Sequence, residues 1–259
     1  MKKFINTAKN SSAIITLGLL LLLWEKGVSF YEIPAYILPA PTQILDSLIN
    51  HYQLLFYHTG TTLLEAIAGL SLAVMLALII GFILHNLRAL YTAVYPILVF
   101  SQTIPLIVLA VLLPLWFGWG MLPKIIIIVL VCFFPIVISF LNGLDLVDPD
   151  QINLFRSMGA SRWATFKMVK LPTALPAFFS GLRISATYSI MAAVISEWVG
   201  AQRGLGYYMT LQQKSFAIDQ VLGAVAVICA LSYIMVKIVD LLNFLLIPWN
   251  RKSLVTKHY

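Results

Sequence analysis

The sequence predicts an all-α integral membrane protein with about six transmembrane helices and both termini cytoplasmic. Three observations carry that expectation. The chain has 259 residues, 61% of them hydrophobic and only 10% charged, where a soluble domain carries about 25% charged residues. Its mean hydropathy is +0.93. The apolar residues gather into runs close to the ~20 residues that a bilayer-spanning helix needs. Nothing between the runs is long enough to stand alone, so residues 1–259 read as a single transmembrane domain.

The first run, 12–31, is the weakest. Its uninterrupted core, Ala13 to Trp24, is short and is followed by Glu25 and Lys26. Lys2, Lys3 and Lys9 ahead of it would also suit a signal peptide. No clear small-x-small cleavage site follows directly, so a retained anchor is expected. The next stretch, Tyr31 to His58, is expected outside the bilayer. There Pro39 and Pro41 favour extended backbone. Thr42 is expected to cap a short interfacial helix with Leu45, Leu48 and Ile49 on one side. The remaining runs lie at 61–84, 94–117, 121–144, 177–199 and 221–247. Pro96, Pro105, Pro114 and Pro135 punctuate two of them, and each removes a backbone donor and tends to kink its helix.

Basic residues set the orientation. With the N-terminus inside, the cytoplasmic segments hold Lys2, Lys3, Lys9, Arg88, Arg156, Arg162, Lys167, Lys170, Arg251, Lys252 and Lys257. The opposite segments hold only Lys26, Lys124, Arg203 and Lys214. The termini and the 148–172 loop therefore belong on the cytoplasmic side.

That loop, Asp148 to Pro172, is a polar, basic stretch between two strongly apolar runs. Asp148-Pro-Asp suits a helix start, where carboxylates meet the positive end of the dipole. Leu154, Phe155 and Met158 then share one side. Gly159 ends the run and permits a turn closed to other residues. Ser161 is placed to cap a second helix, in which Trp163, Phe166 and Val169 recur every third residue. Leu171-Pro172 is expected to stop it. Such a hairpin either rests on lipid headgroups or inserts into the groove of a partner protein.

Ionisable residues at membrane depth are candidates for function. Glu65 and Glu197 fall near outer ends, where water is close. Lys237 and Asp240 are three apart and able to pair. Arg183 lies just inside its run, within reach of the loop or of lipid phosphate. Small and polar residues that could face a central path are Ser101, Gln102, Thr103, Ser185, Tyr188, Ser189 and Ser196, joined by Glu197. Small residues equally mark helix contacts. The Gly-rich, aromatic segment from Ala201 to Tyr208 reads as an outer gate, a binding-protein contact, or a simple turn. Cys132 and Cys229 sit in apolar runs as small buried hydrophobes. No Cys/His spacing suggests a metal. His51, His58, His85 and His258 are scattered, so no catalytic set converges.

The loop resembles the "EAA" cytoplasmic loop of permease subunits of binding-protein-dependent ABC importers. That pattern is Glu-Ala-Ala, three residues, Gly, nine residues, Ile-x-Leu-Pro. Here Gly159 is followed after nine residues by Val169-Lys-Leu171-Pro172, whereas Asn153-Leu154-Phe155 stand in place of Glu-Ala-Ala. Ile37-Leu-Pro-Ala-Pro-Thr, Gly159-Ala160-Ser161-Arg162-Trp, Gly181-Leu-Arg-Ile and Ser196-Glu-Trp-Val-Gly…Gly204-Leu-Gly-Tyr are similar to one branch. That branch takes up nitrate, sulfonates, taurine and pyrimidine or flavin precursors. The likeness spans roughly residues 34–250.

The resemblance implies a type I ABC importer permease fold and a dimer, usually a homodimer. It also implies an ATP-binding subunit that receives the 148–172 loop, and an extracytoplasmic binding protein that delivers cargo. The loop residues expected at the ATPase are Asn153, Gly159, Ala160, Ser161, Arg162, Leu171 and Pro172. The chain has no Gly-x-x-x-x-Gly-Lys-Ser/Thr phosphate loop. ATP is thus expected in the partner, with no cofactor and no catalytic residue here. The motif wording leans toward a thiamine-pyrimidine precursor or a related heterocycle, over sulfonate, taurine or nitrate. A plasma-membrane location follows. The rival class is an ion-coupled secondary transporter, which predicts internal repeats and midplane carboxylates; neither is evident.

Overall fold

The computed structural model describes the backbone of residues 2–250 and the side chains of residues 15–249. Arg251, Lys252 and Lys257, and the side chains of Lys2, Lys3 and Lys9, lie outside the described residues. Every regular element described is helical. In chain order these are α1 (Lys2–Phe30), α2 (Pro41–Asn50), α3 (Tyr52–Asn86), α4 (Arg88–Ser101), α5 (Leu106–Phe117), α6 (Met121–Asp145), α7 (Pro149–Ser157), α8 (Arg162–Thr165), α9 (Leu171–Glu197), α10 (Leu205–Lys214) and α11 (Ile218–Leu246). A π-helical turn, Phe166–Lys170, joins α8 to α9.

Four rods among the described residues are long and apolar enough to cross a membrane: α3, α6, the joined Arg162–Glu197 and α11. The pair α4 and α5 makes a fifth only if counted together, because it bends by 100°. One kinked helix was expected over 94–117; the chain instead stops at Ser101 and restarts at Leu106. Pro105 is the cause. It has no N–H to give, and it drives the residue before it out of helical geometry. The Ser101 and Thr103 hydroxyls donate to the Leu98 and Phe100 carbonyls beside the break. Pro96, Pro114 and Pro135 stay inside their helices.

The core forms where α9 crosses α6 and α6 meets α3. Two glycines set the α6–α9 distance. A Cβ on Gly181 would overlap the Pro135 carbonyl oxygen, and one on Gly143 would press on the Ala174 backbone. Two further contacts cross this seam. The Ser185 hydroxyl donates to the Cys132 carbonyl at 2.8 Å, and the Cys132 thiol meets the Ser185 carbonyl at 3.4 Å. Gly69 and Gly81 of α3 seat Ile128 and Phe140 of α6. Small residues permitting close backbone approach are the usual means of helix association in lipid. Cys229, by contrast, is exposed on α11 rather than buried.

Two local expectations change. Thr42 is not the cap of α2. Ala40 holds that place, and the Gln43 side chain accepts from the Ala40 amide at 2.9 Å. Thr42 instead gives both its amide and its hydroxyl to Glu25, tying α2 to α1. Of the predicted apolar side, Leu48 packs inward while Leu45 and Ile49 are exposed. Asp240 pairs with Arg183 across α9 and α11, with Nε to Oδ1 at 2.7 Å, and not with Lys237. Lys237 lies over the Tyr233 ring, 5.1 Å from its centroid.

Gly181→Leu is expected to cost about 1–3 kcal/mol through overpacking at the crossing, read as a lower melting temperature in detergent. Gly27→Ala, with open space at its Cβ position, should leave that temperature unchanged or raise it slightly, since Ala is the better helix former. The ion pair is half exposed and worth about 0.2–1 kcal/mol. Asp240→Asn should lower stability slightly and Lys237→Ala should not; the reverse ranking would restore the Lys237 pairing.

Candidate functional sites at the two helix ends and the mid-chain break

The 148–172 hairpin forms as its sequence signals suggest. Asp148 caps α7, accepting from the Asp150 amide at 2.9 Å. Gly159 adopts φ +80, a left-handed conformation that side chains disfavour, with open space around it. The Ala160 amide then reaches back to the Phe155 carbonyl at 3.0 Å, closing the turn. Ser161 caps α8 by accepting from the Ala164 amide at 3.1 Å. Leu171-Pro172 does not end this helix. The Leu171 amide bonds five residues back to Phe166. This wider turn lets the rod pass a residue with no donor, as π-bulges commonly do. The rod from Arg162 to Glu197 is therefore continuous through Pro172 and Pro176.

Contacts at the hairpin end bind this rod to two others. Lys170 Nζ lies 2.9 Å from His85 Nε2, and His85 Nδ1 lies 3.9 Å from Asp145. Trp163 stacks on Phe166, which meets Phe82 edge-on. The outward surface remains apolar in part: Met158 is 75% exposed, Met168 64%, Trp163 63% and Leu154 58%. Asn153 and Arg162 are exposed beside them, while Ala160, Leu171 and Pro172 are partly buried.

The break between α4 and α5 opens a cavity of about 400 Å³. Ser101, Gln102, Thr103 and Tyr188, four of the residues expected on a path, line it. Ser189 and Ser196 lie elsewhere. Both are buried, and each hydroxyl donates to a carbonyl of its own helix, Ala186 and Ala193. Ser185 is likewise consumed in the α6–α9 seam.

At the opposite end, Glu197 is 1% exposed rather than a solvated helix end. Its carboxylate accepts from the Thr62 hydroxyl and from the Gly206 amide, both at 2.7 Å. Thr62 in turn accepts from the Leu205 amide at 2.8 Å, and His58 Nδ1 from the Gly204 amide at 3.1 Å. The start of α10 is thus capped by side chains of α3 and α9, not by its own sequence. Gly204, at φ +112, is required there, because a Cβ would overlap the Glu197 carboxylate. Tyr208 is fully buried behind it and donates to Gln220 at 2.9 Å; burial pushes its hydroxyl up to about 12. Glu65, also buried, pairs with Lys124 at 2.7 Å.

His58, Thr62 and Lys124 escaped the sequence reading. Their partners lie 59 to 146 residues away, so no local spacing announces them. The one available signal was an acid in an apolar run, seven residues before Gly204-Leu-Gly206.

Comparison with known proteins places this geometry. Residues 56–252 match the family described as binding-protein-dependent transport system inner membrane component. A probable ABC transporter permease protein of Haemophilus influenzae is 36% identical over 219 residues, covering 85% of this chain and 89% of that protein. The formylaminopyrimidine transport permease protein ThiX of Halalkalibacterium halodurans is 33% identical over 236 residues, covering 91% and 94%. Among solved structures, the inward-facing MetNI methionine ABC transporter shares the fold. Its TM-score is 0.61 at 21% identity, over 74% of this chain and 97% of that one. The chain therefore belongs to the binding-protein-dependent transport system inner-membrane component family, the ABC importer permeases of type I fold, and is a multi-pass protein of the plasma membrane.

Proposed function

We propose that two copies of this chain line the path of an importer whose ATPase subunits grip the 148–172 hairpins on the cytoplasmic side. One observation carries the reading. The hairpin is tightly capped at both helices yet leaves Leu154, Met158, Trp163 and Met168 exposed at the tip of a continuous rod. A rigid apolar knob of this kind suits a protein groove, where anchors at helical spacing supply the affinity. Asn153, Gly159, Ala160, Ser161, Arg162, Leu171 and Pro172 form its contact and turn. ATP belongs to the partner, and this chain needs no cofactor of its own. Both termini then lie in the cytoplasm, and α1 completes a count of six spans.

Cargo passes the cavity of Ser101, Gln102 and Tyr188. Glu197 acts from behind, by holding the outer helix α10. The cargo we favour is a thiamine-pyrimidine precursor or related heterocycle, in keeping with the motifs and the formylaminopyrimidine relative. Relatives named for taurine and aliphatic sulfonates align over a similar length, so cargo class is a matter for assay.

The test is reconstitution with the ATPase and binding protein. Cargo-loaded binding protein should stimulate ATP hydrolysis severalfold. Uptake by this chain alone, driven by an ion gradient, would instead favour the secondary-transporter reading. Gly159→Val forces a β-branched residue into left-handed geometry, at a cost of about 1–2 kcal/mol. It should insert normally but lose most of the stimulation. Tyr188→Ala should cut uptake about tenfold or more while ATPase stimulation persists; unchanged uptake would remove Tyr188 from the path.

A further inference from the structure

Two acids meet inside the end opposite the hairpin. Glu65 of α3 is 3% exposed and Glu197 of α9 is 1% exposed, and their side chains are in hydrogen-bond contact. Glu65 stands three residues after Thr62, on the face of α3 that also holds Glu197. Three features of the surroundings decide how the two carboxyls coexist.

First, their donors can be counted. Lys124 Nζ gives to Glu65 Oε1, the Thr62 hydroxyl to Glu197 Oε1 and the Gly206 amide to Glu197 Oε2, each at 2.7 Å. No donor reaches Glu65 Oε2, and no surface of that atom is open to water. Second, ionised carboxylates only accept, so a hydrogen bond between two of them requires a proton on one. Third, their charge can be counted. Lys124 is the one cation within ion-pair distance of either acid among the described residues. Two ionised carboxylates would leave a buried excess negative charge, whereas a single proton makes the cluster neutral. Both counts require the same one proton.

We infer that Glu65 and Glu197 form a proton-binding site that holds one proton, carried on Glu65 Oε2 and donated to Glu197, and that this proton fastens α3 to α9 where α10 hangs. The site is independent of which cargo passes. It gives a pH response of fixed sign. Raising the pH takes the proton to water, which the adjoining cavity of about 630 Å³ supplies once the contact opens, since Glu65 lies in its wall. Two carboxylates then face each other over one ammonium, and the seat of α10 loosens. The other titratable and charged groups nearby are Lys124 of α6, His58 of α3 with Tyr57 and Tyr207 beside its ring, Arg203 ahead of α10, and Tyr208 of α10 with Asp219 of α11 near it. His58 Nδ1 accepts from the Gly204 amide, so His58 holds α10 only when neutral and fails on the acid side. Tyr208 keeps its proton to about 12. Lys124 is the remaining alkaline titration, and the variants below separate it.

The experiment uses the full-length chain in nanodiscs and two readouts: the infrared band of a protonated carboxylic acid, and hydrogen exchange of segment 204–214. Glu65→Gln keeps an acceptor for Lys124 and an amide donor for Glu197, so it copies the protonated pair but cannot titrate. At about pH 7, where an ordinary Glu is ionised, wild type should show the band and Glu65→Gln should lack it. Between about pH 7 and about pH 10 the wild-type band should fade, and exchange of 204–214 should become about tenfold faster than in Glu65→Gln. Comparison at equal pH cancels base-catalysed exchange. Absence of the band from wild type, or its survival in Glu65→Gln, would overturn the assignment. So would the same alkaline response in both chains, which would pass the titration to Lys124. If Glu65→Gln does not fold, Glu197→Gln replaces it in the spectra. There the new amide supplies the donor, Glu65 ionises against Lys124, and the band must again be lost.

Discussion

The contact on which the rest depends is the α6–α9 crossing at Gly181 and Gly143. In lipid there is no water to drive apolar faces together, so association rests on close packing and on hydrogen bonds that have no better alternative. The crossing supplies both. Backbone meets backbone where the two glycines lack side chains, and the Ser185–Cys132 pair stitches the same seam. With α6 and α9 fixed, α3 packs on one through Ile128 and Phe140, and α11 is held to the other through Arg183 and Asp240. Larger residues at either glycine would separate every later contact.

Charge is arranged around this neutral middle. His85, Asp145 and Lys170 meet at the hairpin end, and Glu65, Lys124 and Glu197 at the other. Buried polar and acidic groups persist only when paired or hydrogen-bonded. Each cluster joins helices that a purely apolar seam would leave free to slide. Glu197 shows this most fully. Its two oxygens hold α3 through Thr62 and α10 through Gly206.

The class of fold and the hairpin were legible because both are written locally. Apolar runs report spans, and Asp148, Gly159 and Ser161 each act through their own backbone neighbourhood. Where the sequence reading failed, a tertiary alternative had won. Pro105 looked like three other helix prolines, yet it alone stands at a break, beside which the Ser101 and Thr103 hydroxyls donate to carbonyls of the preceding turn. Pro172 looked like a stop, but a π-turn absorbs it. Asp240 was expected to pair with Lys237, three residues away, but its partner is Arg183 on another helix. Ser185, Ser189 and Ser196 share one side by helical spacing, but spacing does not reveal that another helix covers that face.

The continuity of the Arg162–Glu197 rod has a mechanical consequence. At 36 residues it is about 54 Å long, enough to carry the hairpin at one end and Glu197 at the other. Its irregular point is the π-turn at Phe166–Lys170, and that turn is braced by Lys170 on His85 and by Phe166 on Phe82. A displacement imposed on the hairpin therefore cannot be lost in a flexible joint. It must either tilt the rod as a body about the Gly181 crossing or break the braces. Tilting carries Glu197 with it, and the start of α10 hangs on Glu197 by the Gly206 amide. The same carboxylate that keeps α10 seated is thus the element through which motion at the far end would unseat it.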